Sequence, residues 1–199
     1  LRKEVGAAVA DDAVLLSALR RAERDRREGQ LDEERYLTIC DGVREALDGL
    51  DAPGPEVPTP VSALLLPAFA EADRVACEVI ARHLESAGIS VTIGPNATTT
   101  SDAVPVAVQA GASVVCVVAL PPFAGLRVRY GLRRAHSQVA GVRLLGVVLD
   151  PAADRPRVES SLRQAGAAAT CFSLAELLSA VLPREAPVEV PSRLDGADA

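Results

Sequence analysis

The stretch Gly111-Ala112-Ser113-Val114-Val115-Cys116-Val117-Val118-Ala119-Leu120-Pro121-Pro122 decides the fold. From Val114 to Ala119 no side chain is polar. A strand with one wet face alternates apolar and polar residues, whereas a strand covered on both faces does not. The run therefore belongs inside a parallel sheet clad by helices on both sides. The glycine before it is the second mark, because a helix commonly closes on a glycine whose φ turns positive. The pattern recurs outward. Gly88 precedes Val91-Thr92-Ile93, Gly141 precedes Leu144 to Leu149, and Gly166 precedes Ala168 to Phe172. An earlier apolar run, Ala63 to Leu66, opens the series.

Five such strands joined by right-handed helical crossovers give an α/β fold: a three-layer, doubly wound, five-stranded parallel sheet. The expected strand order is the flavodoxin-like 2-1-3-4-5. The intervening helices are predicted over 71–87, 102–110, 124–139 and 156–165. A last helix begins at Ser173, where Ser173-Leu174-Ala175-Glu176 reads as a capping box. With apolar residues at 49% and aromatics at only 3%, Leu, Val and Ala must fill the core. Small side chains imply a close approach of helix to sheet.

The α/β domain is placed at 61–183. Before it, residues 1–50 read as a helical hairpin. One helix spans 11–29, capped by Asp11 or Asp12, with Val14, Leu15, Ala18, Leu19 and Ala22 along one stripe and Gly29 as its stop. The second spans 32–48, with Tyr36, Ile39, Cys40, Val43, Ala46 and Leu47 recurring at helical spacing. A lone hairpin cannot bury both apolar faces. It must pack on the rest of the chain, on a copy of itself, or on an upstream part. Residues 51–60 hold four prolines and read as a stiff linker. Residues 184–199 lack periodicity and are expected to be disordered.

The formal net charge is -6, unevenly spread. Residues 1–50 carry 9 basic and 12 acidic side chains, and the α/β domain 10 and 9. A near-neutral core with acidic flanks does not attract a nucleic-acid backbone. Cys40, Cys77, Cys116 and Cys171 stand singly, without CxxC spacing, so no zinc or disulfide framework is visible. Cys77 and Cys116 fall inside apolar patterns and read as small core residues. A reducing cytosol is the expected compartment. No apolar run reaches the ~18–20 residues of a membrane helix, and no signal peptide is visible. The chain contains no methionine, which suggests a piece of a longer or processed protein.

Sheets of this kind bind ligands outside the carboxyl ends of their strands. The loops there carry little chemistry. After the first strand comes Pro67-Ala68-Phe69-Ala70-Glu71-Ala72-Asp73, with none of the glycines that bring backbone N–H groups up to a phosphate. After the third comes Leu120-Pro121-Pro122-Phe123-Ala124-Gly125, where two prolines remove donors. After the fourth comes Asp150-Pro151-Ala152-Ala153-Asp154. Phe69, Pro121, Phe123 and Asp150 outline the candidate crevice. A phospho-receiver reading fails, because Leu120 and Phe172 stand where an aspartate and a lysine are needed. His83 and His136 lie on helices without a partner constellation. Thr98-Thr99-Thr100-Ser101-Asp102 reads as a helix cap. The concentrated basic surface is Arg127, Arg129, Arg133 and Arg134 around Tyr130. It suits an acidic partner, the chain's own hairpin among them, or lipid headgroups.

Leu64-Leu65-Leu66-Pro67-Ala68-Phe69-Ala70-Glu71-Ala72-Asp73, the Val114 to Pro122 run and the arginine helix after it together resemble a cobalamin-binding-like domain. More narrowly, with the segment Leu19 to Asp32, they are similar to the cytosolic C-terminal region of bacterial membrane proteins of the autoinducer-2 exporter family. The resemblance spans about residues 14–182. It implies a cytoplasmic domain, tethered to the inner membrane in the full-length protein by an upstream membrane region. The chain departs from true cobalamin binders, which place Asp-x-His-x-x-Gly after strand 1. Here that loop has Phe69 and neither His nor Gly, so no cobalt ligand carries over.

The expectation is thus a non-enzymatic regulatory or interaction domain of a transporter-like protein, without cofactor or nucleic acid. It would bind a protein partner or self-associate through the hairpin. The alternative is a sensor for cobalamin, another tetrapyrrole or a nucleotide-like ligand.

Overall fold

The computed structural model describes residues 6, 9–49, 59–97, 111–138 and 141–182. The predicted helix over 102–110, the Thr98 to Asp102 cap, all but the last two linker residues and the 184–199 tail lie outside the described residues.

The sheet has five parallel strands: β1 (Ser62–Pro67), β2 (Ser90–Ile93), β3 (Val114–Ala119), β4 (Arg143–Val148) and β5 (Ala169–Cys171). Their order is β2-β1-β3-β4-β5, the flavodoxin-like order expected. The helices are α1 (Ser17–Arg27), α2 (Glu33–Asp48), α3 (Glu71–Ser86), α4 (Ala124–Gln138), α5 (Arg155–Gln164) and α6 (Leu174–Val181). Gly88, Gly111, Gly141 and Gly166 all take positive φ, between 79° and 99°.

Successive strand residues point to opposite faces, and two cores result. Ala63 and Leu65 of β1, Cys116 and Val118 of β3, and Leu145 and Val147 of β4 pack under α3 and α6. Leu64 and Leu66, Val115 and Val117, and Leu144 and Val148 pack under α4 and α5. The sheet–helix approach is close. A Cβ on Gly146 of β4 would lie 2.7 Å from Leu162 and 3.1 Å from Val128, and one on Gly131 of α4 would lie 2.8 Å from Val117.

The hairpin packs on the chain itself, outside α3. Leu16, Leu19, Tyr36, Cys40 and Val43 join the same core as Val75, Val79 and Ile80. Arg44 of α2 binds Glu71 and Glu78 of α3, and Arg82 of α3 donates to the Leu47 carbonyl at 2.8 Å. The hairpin and α4 therefore lie on opposite sides of the sheet. Among the described residues, Arg127 of the basic helix reaches the hairpin, 3.9 Å from Glu23.

The first helix differs from the sequence reading at its start. Asp11 and Asp12 do not cap it, since residues 9–11 are already helical and a π-helical turn, Asp12–Leu16, precedes α1. Asp11 instead lies 2.7 Å from His83 Nε2, and Asp12 accepts from Arg20 at 2.8 Å. The π turn inserts a residue into the helical register. Leu15 and Leu16 turn inward, while Val14 is 66% exposed and Ala18 is exposed. At α6 the Ser173 hydroxyl accepts from Glu176 N as expected. The Glu176 carboxylate reaches back one residue further, to Phe172 N at 2.8 Å.

Candidate functional site

β1 and β3 are neighbours whose following helices, α3 and α4, lie on opposite faces of the sheet. The crevice between those departures is where such a sheet takes a ligand. Here it is spanned by Asp73. This residue is the third of α3, which places its carboxylate over the helix start. One oxygen accepts from Ala70 N (2.9 Å) and Phe69 N (3.1 Å), the reach-back half of a capping box. The other accepts from Leu120 N, at the end of β3, at 2.8 Å. Asp73 thus clips the loop after β1 to the loop after β3.

Arg127 completes the bridge from the other face of the sheet. Its guanidinium donates to Asp73 at 3.2 Å and to the carbonyls of Leu120 (2.9 Å) and Pro122 (2.6 Å). Its side chain is only 13% exposed and that of Asp73 is fully buried. Burial pushes the Asp73 carboxyl above the ordinary carboxylate range, while Arg127 and the Leu120, Ala70 and Phe69 amides pull it back. Both oxygens face donors, so we assign the ionised form.

The hairpin roofs this pair. Glu23 of α1 is fully buried, 3.9 Å from Arg127, and is held by Arg26 (3.0 Å) and Arg27 (2.9 Å). Arg26 stacks on Tyr36, 4.6 Å from its centroid, and Arg27 lies 5.9 Å from the Phe69 ring. The Tyr36 hydroxyl accepts from Ala72 N at 2.8 Å, satisfying a first-turn amide of α3 from another element.

Two further loops at the crest do the same. Asp150 accepts from Ala152 N at 3.0 Å, and Glu176 takes Phe172 N after β5. In ligand-binding sheets of this kind, crest amides and helix starts receive an external anion. In this chain its own carboxylates, Asp73, Asp150 and Glu176, occupy those positions.

The four predicted crevice residues have different surroundings. Phe69 is 49% exposed, beside Arg27. Pro121 is buried, joined to Pro122 by a cis peptide. Phe123 projects outward, 73% exposed, with φ of 64°. Asp150 turns onto its own loop. The predicted basic surface also divides. Arg127 is an internal strut and is lost to any partner. Arg129 is half-buried, Arg133 and Tyr130 are exposed, and Arg134 is half-buried with contacts of its own. The four cysteines are buried free thiols. Among the described residues no cluster of His, Cys, Asp or Glu has the makings of a metal site, and no helix is long and apolar enough to cross a membrane. A shallow groove of about 410 Å³ lies between β5 and α6, lined by small residues such as Ala169, Ala175 and Ser179.

Asp73, Glu23 and Tyr36 are what the sequence reading missed. A signal existed for Glu23: with Arg26 it continues the apolar stripe of Leu16, Leu19 and Ala22 at helical spacing, so the charged pair had to face inward. Asp73 lacked the usual hydroxyl partner three residues earlier, where Ala70 stands.

Comparison with protein-family models and with curated proteins finds no match to this chain.

Proposed function

We propose that the chain is a non-enzymatic regulatory or interaction domain, in which a sheet built for ligand binding has had its crest closed by its own side chains. The observation that carries this reading is the Asp73–Arg127 bridge across the β1/β3 crevice, roofed by Glu23. A ligand seated there would have to displace an ion pair that also holds three backbone amides. Leaving a buried charge unpaired costs about 3–5 kcal/mol. The surfaces left for function are helix faces. The setting we propose, the cytosolic part of a transporter-like membrane protein, rests on the family resemblance of residues 14–182 alone.

The sensor reading draws on Phe69 and Phe123, two outward rings beside the crevice. Thermal unfolding with hydroxocobalamin, haem and nucleotides separates the two. A closed crest gives no shift and a colourless protein. A ligand at a hundred times its Kd would add about 2.7 kcal/mol. A saturable rise in Tm, abolished in Phe69→Ala, would overturn the closed-crest reading.

A further inference from the structure

The helix faces themselves suggest the partner. The outer face of α4 presents Leu126 (58% exposed), Tyr130 (59%), Arg129 and Arg133. These positions fall on one side of the helix at three- and four-residue spacing. α4 contains four arginines and no acidic residue. Arg129 and Arg133 make no ion pair among the described residues.

The outer face of α2 is the complement. Glu34, Leu37, Asp41, Glu45 and Asp48 recur along one side, all exposed, with Leu37 at 41%. Among the described residues Glu34, Glu45 and Asp48 have no cationic partner, and Asp41 has only Arg44 on its own helix. The two helices match in length, at 16 and 15 residues. At 1.5 Å per residue the α2 stripe from Glu34 to Asp48 runs about 21 Å and the α4 patch from Leu126 to Arg133 about 10 Å, so the patch covers about half of the stripe.

These faces cannot meet within one molecule, because α2 lies outside α3 on one side of the sheet and α4 lies on the other. We propose that they meet between molecules: the α4 face of one copy docks on the α2 face of the next. The occupant is a second copy because both halves of the complement are on this chain. Such a contact is heterologous and leaves a free face at each end, so it propagates into a ring or a filament and does not stop at a dimer. The proposal rests on the reading of the chain as an interaction domain and names its partner. Thermal unfolding with added ligands tests closure of the crevice separately, so each can fail alone.

The test is sedimentation velocity on the full chain from micromolar to millimolar concentration. The wild type should exceed dimer mass as concentration rises. Cutting the Debye length from about 10 Å to about 3 Å with salt should weaken assembly by roughly tenfold. Arg129→Glu/Arg133→Glu loses one face and Glu34→Gln/Glu45→Gln/Asp48→Asn the other, so each should remain monomeric. Mixed in equal amounts, each variant still offers the face that the other lacks, and 1:1 dimers should form that grow no further. Circular dichroism on both variants establishes that they fold. If a variant does not fold, Leu126→Ser/Tyr130→Ser replaces the first and Leu37→Ser the second. A wild type monomeric at every concentration, or a mixture that stays monomeric, overturns the proposal. So does loss of binding to anionic vesicles in Arg129→Glu/Arg133→Glu beside a monomeric wild type, which would assign the face to lipid.

Discussion

Asp73→Ala is the sharpest perturbation of the crest. It deletes a fully buried carboxylate that accepts from Phe69 N, Ala70 N, Leu120 N and Arg127. Arg127, only 13% exposed, is left without its nearest anion. Breaking a buried pair from one side costs about 3–5 kcal/mol, and each buried amide without a partner about 1–3 kcal/mol. The two penalties overlap, since water entering the vacated space serves both, and we expect about 4 kcal/mol in all. For a chain of this size each kcal/mol moves Tm by roughly 2–4 °C, so the fall should be about 8–16 °C. The assay is urea unfolding followed by far-UV circular dichroism. Arg127→Met is made alone and with Asp73→Ala to close a double-mutant cycle. Because Asp73 keeps its three amides when Arg127 is removed, Arg127→Met should cost about 2 kcal/mol, and the double variant should fall short of the sum by at least about 1 kcal/mol. The vacated position is an anion site, so formate should restore part of the lost stability in Asp73→Ala and leave the wild type unchanged. A loss below about 1 kcal/mol, or additivity within about 0.5 kcal/mol, would refute the view that this pair holds the crest closed.

Three further outcomes follow from the packing. Tyr36→Phe removes the acceptor from buried Ala72 N and should lower the urea midpoint by the equivalent of about 1–2 kcal/mol without changing the m-value. Gly146→Ala drives a methyl to within 2.7 Å of Leu162 and 3.3 Å of Leu132, both fully buried, and calorimetry should register overpacking of about 1–3 kcal/mol. The third is alkaline lability. Burial pushes the Cys40 thiol from its ordinary value near 9.0 up to about 11, Cys171 up to about 12, and Cys77, Cys116 and Tyr36 upward as well. The unfolded chain releases these protons first, so this stabilisation is intact below about pH 9 and is lost as pH climbs toward the folded values. The loss is about 1.4 kcal/mol per group for each pH unit. Urea midpoints measured from pH 8 to pH 11 check the slope. A flat profile would mean that the thiols are open to solvent.

The sequence by itself determined the sheet. Unbroken apolar runs require cover on both faces, and glycines such as Gly88 and Gly166 supply a positive φ that other residues resist. Both are local properties, so strands and helix stops were legible without coordinates, while the strand order came from the flavodoxin-like pattern that such units adopt. The π turn at Asp12–Leu16 was not legible: it leaves no residue-type mark, and it exchanged Val14 for Leu16 in the core. The tertiary structure alone decided the crest. Asp73 and Arg127 are 54 residues apart, and Glu23 comes from a hairpin that had three places to pack. Proline-stiffened apolar loops predicted a crevice without donors for a ligand. Donors are in fact present, and those of Phe69, Ala70, Leu120, Ala152 and Phe172 are held by carboxylates of the chain. Which charge meets which is set by how helices on opposite sides of a sheet converge at its edge, and no spacing along one element encodes that distance.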